Sequence, residues 1–350
     1  MTAACMPSSP SPVLAAALIV RNEVRSIARC LESVRPWVDR MVVLDTGSSD
    51  DTIALARRCG AEVHQAAWPH DFSAARNRVL DLTDADWNLV IDADEWIVSG
   101  GALLRSWCLG PARLGTICQH SASDAAPSPV AGAPLPSSRN WVTRLLPREV
   151  RYRGRVHEQA VSALPRERIE LHLGHDGYLE TQLAPKRERN RPLLLLELRE
   201  KPDNPYILFQ LGKEAEARDQ HAKAAALYAR AFARTPPHAN WRHELLIGYL
   251  HCLGRSGRAD AGLEIAEREM PHWSHSPDFF FVLGNLLLER AIADPGQAVH
   301  HWLPLACAGW ERCLKIGERP DLEGSIQGRG SHLARYNLEL VRSQIALLAR

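Results

Sequence analysis

The chain has 350 residues, enough for two domains of ordinary size. Hydrophobic residues make up 45% and charged residues 24%, the balance of a globular protein, which excludes a wholly disordered or fibrous chain. With 42 Lys plus Arg against 41 Asp plus Glu the net charge is +1, so charge points to neither nucleic acid nor an anionic membrane as partner.

Val13–Val20 is an apolar run of strand length, too short for the ~18 residues of a spanning helix, and it lacks the flanks of a secretory signal. It reads as a buried strand, and no transmembrane segment is expected. Val24, Ile27, Ala28, Leu31 and Val34 follow at helical spacing. Met41–Leu44 is a second buried strand, closed by the loop Asp45-Thr46-Gly47-Ser48-Ser49-Asp50. Ser49 or Asp50 is the expected cap of the helix through Ile53, Leu55 and Ala56. Ala61–Ala66 predicts a third strand and Phe72–Leu82 a helix, with Ser73 as its cap. Trp87–Ile91 is a further strand that runs into Asp92-Ala93-Asp94-Glu95. Alternating strands and helices predict a mostly parallel sheet covered on both faces. Ligands of such sheets bind beyond the carboxyl ends of the strands, where Asn22, Glu23, Asp45, Asp92 and Asp94 fall.

The cysteines at 5, 30, 59, 108, 118, 252, 307 and 313 form no Cys-x-x-Cys, and their spacing points to neither a zinc site nor a disulfide framework. A reduced, cytoplasmic chain is the expectation. No G-x-G-x-x-G follows the first strand, and no P-loop or H-E-x-x-H sequence occurs, which disfavours dehydrogenases, P-loop enzymes and zinc proteases.

Asp92 and Asp94, at i and i+2 after a hydrophobic strand, can grip one Mg²⁺ or Mn²⁺ whose further ligands come from a diphosphate; a solvated acidic loop is the plainer alternative. Asp45 suits a base or ribose at the sheet edge, or simply an Asx turn onto Gly47 or Ser48. Arg76 suits a diphosphate or base near a helix start, or is an exposed helix arginine.

Four stretches together resemble the family 2 glycosyltransferases of the GT-A fold. They are Leu18-Ile19-Val20-Arg21-Asn22-Glu23, Val42–Thr52, Asp71-Phe72-Ser73-Ala74-Ala75-Arg76-Asn77 and Val90-Ile91-Asp92-Ala93-Asp94-Glu95. The Phe-Ser-Ala-Ala-Arg-Asn stretch is similar to the bacterial subgroup with a tetratricopeptide tail, which includes the peptide S-glycosyltransferases of glycocin synthesis. The resemblance implies a nucleotide-sugar donor, a divalent cation (Mn²⁺ or Mg²⁺) and inverting transfer. It implies that Asp45 and Arg76 touch the nucleoside, that Asn22 and Glu23 line the base or ribose pocket, and that Asp92 and Asp94 manage metal and diphosphate; Asn77, beside Arg76, and Asp92 are further candidates for nucleotide-sugar binding.

Ser121–Ser138, rich in Ala, Pro and Ser, reads as a flexible insertion and Trp141–Leu146 as a strand. Arg151–Glu158 alternates in strand fashion and ends in an acid. An inverting transfer needs a base for the acceptor proton, and Glu158 is the candidate; pairing with Arg151, Arg153 or Arg155 is the alternative. The resemblance extends to this Gly-Arg-Val-His-Glu stretch. It also makes His175 a candidate further metal ligand, with His157 as competitor, although Asp176 departs from the His-Tyr-Gly-Tyr common in the family.

From Asn204 the pattern turns helical. Gly212, Ala224, Tyr228, Ala231 and Pro236 fit a 34-residue tetratricopeptide unit, with looser copies in Trp241–Met270 and from Phe281, and a capping helix Leu333–Leu348. The expected organisation is a disordered N-terminus (1–12), a GT-A domain (13–180, insertion 121–138), a linker helix (181–203) and an all-α repeat domain (204–350). The expected activity is metal-dependent transfer of a sugar to a peptide, protein or glycan acceptor, with the repeats binding acceptor or a second copy as a homodimer. The alternatives are a noncatalytic tetratricopeptide scaffold with a degenerate transferase domain and a nucleotidyltransferase. The latter lacks its Gly-rich phosphate loop here.

Overall fold

A computed structural model describes residues 11–122, 137–176 and 180–348. The expected N-terminal disorder falls mostly on 1–10 and the expected insertion mostly on 123–136, both outside the described residues. The chain divides into two compact units, Met1–His120 with Trp141–Asp176, and Ser121–Asn140 with Gly177–Arg350.

The first unit begins β1 (Leu14–Val20), α1 (Ile27–Val34), β2 (Arg40–Asp45), α2 (Thr52–Arg58), β3 (Glu62–Gln65), α3 (Phe72–Thr83) and β4 (Trp87–Val90). It continues β5 (Glu95–Ser99), α4 (Leu103–Cys108), β6 (Leu114–Ala122), β7 (Ser137–Pro147), β8 (Arg151–Arg153), β9 (Gln159–Val161) and β10 (Arg166–His175). Eight strands form one sheet in the order β3-β2-β1-β4-β7-β6-β10-β5. The β3-β2-β1-β4 half is parallel, as the strand–helix alternation predicts. The other half brings antiparallel pairs, β4 with β7 and β10 with β5, while β8 and β9 make a separate two-stranded ribbon.

Successive residues of a strand face opposite sides of the sheet, and both sides are covered here. Leu14, Ala16, Leu18, Val43 and Leu89 pack with Ile27, Leu31 and Val34 of α1. Ala17, Val42, Leu44 and Val90 pack with Val79 and Leu80 of α3 on the other side. A strand buried on both faces reads as a largely apolar run, which is why β1, and β4 with Asn88 as its one polar residue, are visible in sequence. The cap of α3 differs from expectation. Asp71, not Ser73, accepts from the Ala74 N–H at 3.0 Å, and Ser73 lies inside the helix with its hydroxyl donating to Asp71 at 2.7 Å. The carboxylate wins because an anion is favoured at a helix N-terminus.

The second unit contains α5 (Glu180–Glu200), α6 (Pro205–Glu216), α7 (His221–Phe232), α8 (Arg242–Arg255), α9 (Ala259–Trp273) and α10 (Pro277–Ala293). It closes with α11 (Pro295–Gln297), a π-helical stretch Ala298–Trp302, α12 (Leu303–Ile316) and α13 (His332–Leu348). Asn204 and Ser276 cap α6 and α10 through their side chains, each just before a proline at the first helical turn. Small residues let the paired helices touch. Gly212 lies directly against the buried Tyr228 ring of the next helix, and a Cβ on Gly284 would stand 2.6 Å from Trp310 Nε1. Gly284→Ala is therefore expected to destabilise this unit by about 1–3 kcal/mol, read as a lower midpoint in denaturant melts. An unchanged midpoint would show that the α10–α12 contact yields without cost.

Candidate active site

The carboxyl ends of β1, β2 and β4 carry the polar residues singled out in the sequence, and β7, β10 and the turn before β9 bring others to β4. Asp45 ends β2 and is fully buried. Its Oδ1 accepts from the backbone N–H groups of Gly47 and Ser48, both at 3.0 Å, so the Asx turn is present. Its Oδ2 is also buried and has no hydrogen-bond partner among the described residues. A carboxylate oxygen in that state is costly unless a ligand donates to it. Turn and binding thus fall on different oxygens of one side chain. Asn22 holds a left-handed backbone at φ 56°, and its Oδ1 accepts from the Ser49 N–H at 2.8 Å. Glu23 accepts from the Ser26 hydroxyl at 2.9 Å, while its backbone N–H donates to Thr52 Oγ1 at 2.8 Å. These two residues shape the loops between β1 and α1 and between β2 and α2.

Arg76 is buried on α3, not an exposed helix arginine. Its Nη2 donates to Asp92 Oδ1 at 2.8 Å and its Nε donates to Glu158. Glu158 therefore pairs with Arg76 and not, among the contacts seen, with Arg151, Arg153 or Arg155. The strand expected over Arg151–Glu158 stops at Arg153, because Gly154 (φ 107°) and His157 (φ 53°) take left-handed conformations that no strand accommodates. This turn sets Glu158 just before β9. Asn77 is engaged by β8: its amide donates to the Tyr152 carbonyl at 3.0 Å, and its Oδ1 accepts from the Tyr152 N–H at 2.8 Å.

Asp92 sits between two guanidiniums. Arg144 of β7 donates to Asp92 Oδ2 at 2.7 Å and to Glu95 Oε1 at 2.8 Å. Glu95 also accepts from the Asp92 N–H at 2.8 Å and from the Gln119 side-chain amide. Arg144 and Gln119 are members of this site that sequence spacing does not single out. The legible signal for Arg144 is a charged residue inside Trp141–Leu146, a run otherwise suited to a buried strand, where a charge must find partners. Burial opposes ionisation of Asp92, but Arg144 and Arg76 outweigh it and hold the carboxyl well below its ordinary range. Burial pushes the Glu95 carboxyl upward, with Arg144 pulling against it. The network is not saturated: Arg76 Nη1 and Arg144 Nε are buried without partners among the described residues. Unused guanidinium donors beside a carboxylate that keeps 32% of its surface open suit an incoming diphosphate.

Asp94 is buried, and its Oδ2 stands 3.5 Å from Nε2 of His175 at the end of β10. The structure thus brings His175 to Asp94. Its neighbour Asp176 is bound by Arg25 and Arg29 at 2.6–3.0 Å, which ties the end of β10 to the region of α1.

Residues 16–103 match the model of the family described as "Glycosyl transferase family 2". A TPR repeat-containing protein of Synechococcus elongatus is 31% identical over 261 residues, covering 71% of this chain and 63% of that protein. The SPbeta prophage-derived glycosyltransferase SunS of Bacillus subtilis is 29% identical over 280 residues, covering 75% of this chain and 64% of that protein. The chain thus spans less than two thirds of the length of these curated relatives. Glucosyl-3-phosphoglycerate synthase of Mycobacterium tuberculosis, solved with Mn²⁺ and UDP, is 27% identical over a match covering 31% of this chain and 44% of that one. Its TM-score of 0.26 is too low for that likeness to carry weight. Residues 16–103 thus form a family 2 glycosyltransferase domain, and a tetratricopeptide-like helical region follows the sheet that contains it. Among the described residues no helix is long and apolar enough to cross a membrane.

Proposed function

We propose that the chain transfers a sugar, with inversion, from a nucleoside-diphosphate sugar to a peptide, protein or glycan acceptor. The observation that supports this best is the set of buried, unsatisfied polar atoms at the carboxyl ends of the strands. Among the described residues Asp45 Oδ2 lacks a donor, while Arg76 Nη1 and Arg144 Nε lack acceptors. A nucleoside diphosphate supplies both, since its base and ribose donate hydrogen bonds and its phosphates accept them.

In this reading Asp45 orients the nucleoside, with Asn22 and Glu23 shaping the loops around it. Arg76 and Arg144 face the charge that gathers on the departing diphosphate, held in place by Asp92, Glu95 and Glu158. Glu158 takes the acceptor proton while the nucleotide leaves from the opposite side of the sugar. Asn77 acts by fixing α3 to β8 and so placing Arg76.

The donor set fits a divalent cation of the Mn²⁺ or Mg²⁺ kind. Asp94 offers hard carboxylate oxygen with His175 beside it, and Asp92 keeps a remaining lone pair on each oxygen that Arg76 and Arg144 engage. When bound, the cation supplies counter-charge for the leaving diphosphate. The helical repeats are assigned to the acceptor or to a second copy of the chain, a use common to such stacks.

A thermal-shift series with nucleoside diphosphates and nucleotide sugars, with and without Mn²⁺, tests this reading. A ligand at 100 times its Kd adds about 2.7 kcal/mol to the folded state. Selective stabilisation that grows with Mn²⁺ is expected, and no stabilisation by any of them would contradict it. Asp45→Asn places an amide donor where the orphaned acceptor was. It is expected to weaken nucleotide binding about 10–100-fold, the worth of one charge-assisted hydrogen bond, in calorimetric titrations. Unchanged affinity would assign Asp45 to the turn alone.

A further inference from the structure

The sheet carries a second cluster of ligating side chains, apart from the carboxylates at the ends of β1, β2 and β4. Cys118 and His120 are two apart on β6 and so point to one face of it. Gln119, between them, points to the other face and reaches Glu95. His172 belongs to β10, the neighbour of β6 in the sheet. Cys118 Sγ lies 3.5 Å from His120 Nε2, and His120 Nε2 lies 2.9 Å from His172 Nδ1. One ligand atom from each residue falls within 4.8 Å of the other two.

We infer that Cys118 Sγ, His120 Nε2 and His172 Nδ1 form a binding site for a thiophilic divalent ion, Zn²⁺ by its chemistry, that pins β6 to β10. Three observations carry this. The spacings come near those of a tetrahedral site: bonds of about 2.0–2.1 Å to nitrogen and about 2.3 Å to sulfur put ligand atoms roughly 3.3–3.6 Å apart, the 3.5 Å between Cys118 Sγ and His120 Nε2 falls there, and the 2.9 Å between His120 Nε2 and His172 Nδ1 has only to widen by a few tenths of an ångström. His120 Nε2 offers a single lone pair or a single hydrogen, yet both the thiol and the second imidazole converge on it. A cation satisfies all three at once, whereas a hydrogen bond serves one well. The third observation is the far side of His172. Its Nε2 lies 3.2 Å from Glu170 Oε2, so that nitrogen carries the proton and Nδ1 is left to ligate. A carboxylate on the outer nitrogen is the usual support of a metal-bound histidine.

The donor set separates this site from the one at Asp94. Thiolate and imidazole select zinc-like ions, and carboxylate oxygen selects Mg²⁺ or Mn²⁺. Three protein ligands leave the fourth position to water. Binding releases the thiol proton to solvent, and no electron is transferred.

Co²⁺ titration of the full chain, first dialysed against a chelator, tests the proposal, because tetrahedral cobalt bound to thiolate shows d–d bands and a sulfur-to-cobalt charge-transfer band. The expected result is one equivalent bound with both features, displaced by Zn²⁺. Cys118→Ser should remove the charge-transfer band, and Glu170→Gln should keep it with affinity lowered about 10–100-fold. Asp94→Asn should keep it unchanged. Absence of the band in the wild-type chain, its survival in Cys118→Ser, or its loss in Asp94→Asn would each overturn the assignment, the first by showing that the trio is only a hydrogen-bonded chain.

Discussion

Glu158→Gln is expected to lower turnover by about 10²–10⁴-fold while nucleotide affinity stays nearly unchanged, since that is the worth of a positioned general base. The substitution is nearly isosteric. The amide oxygen still accepts from Arg76 Nε, so the arginine keeps a partner on each side and the α3 contact survives. What is lost is the ability to take a proton. The competing role for Glu158 is to anchor Arg76, and the two roles separate in the kinetic constants. An anchor would weaken donor binding and raise KM, and Arg76→Lys would reproduce that pattern. A base would leave KM for the donor in place and depress kcat. Turnover within a few-fold of wild type would remove Glu158 from the chemistry.

Asp94→Asn is expected to reduce transfer by about 10²–10³-fold with the fold intact, the scale of several kcal/mol of charge stabilisation. Asp94 is buried at the end of the β4 turn with His175 3.5 Å away, and it is not one of the carboxylates engaged by Arg144. An amide there keeps the shape and offers a poorer ligand to a hard cation. The loss should appear in both kcat and the Mn²⁺ requirement. Asp92→Asn should behave differently, because Asp92 is held between Arg76 and Arg144. Removing its charge leaves two buried guanidiniums undercompensated, so its variant should lose stability as well as activity. Full activity and unchanged Mn²⁺ dependence in Asp94→Asn would exclude Asp94 as a ligand.

Much of this unit can be read from the residues alone, and the reasons are local. β1, β2 and β4 are apolar runs because both sheet faces are covered, and α3 starts where the Asp71-Phe72-Ser73 chemistry says a helix can start. Asp45 and Asp92 stand at strand ends because a parallel sheet puts its polar residues there. What sequence spacing does not carry is pairing over distance. Arg144 meets Asp92 and Glu95 from a strand 52 and 49 residues away, across an antiparallel ladder whose direction no periodicity encodes. Glu158 meets Arg76 across 82 residues, placed by the left-handed turn at Gly154 and His157 that ends β8 early. Ser73 is the cap that residue type suggests, and Asp71 takes the place instead because its charge is favoured at the helix terminus. The Cys118–His120–His172 cluster lacks a sequence signature for the same reason: its third member comes from a neighbouring strand, 52 residues on.

The central claim is that the carboxyl ends of these strands form a working transferase site. The most direct measurement is release of nucleoside diphosphate from a panel of nucleotide sugars by the full chain with Mn²⁺, with water as the acceptor of last resort. Slow release from one or a few donors is predicted, abolished by chelator, lowered about 10²–10³-fold by Asp94→Asn, and restored by added Mn²⁺ only in the wild type. Failure to release nucleotide from any donor, with correctly folded protein that also binds none of them, would contradict the account and leave a tetratricopeptide scaffold carrying an inactive domain.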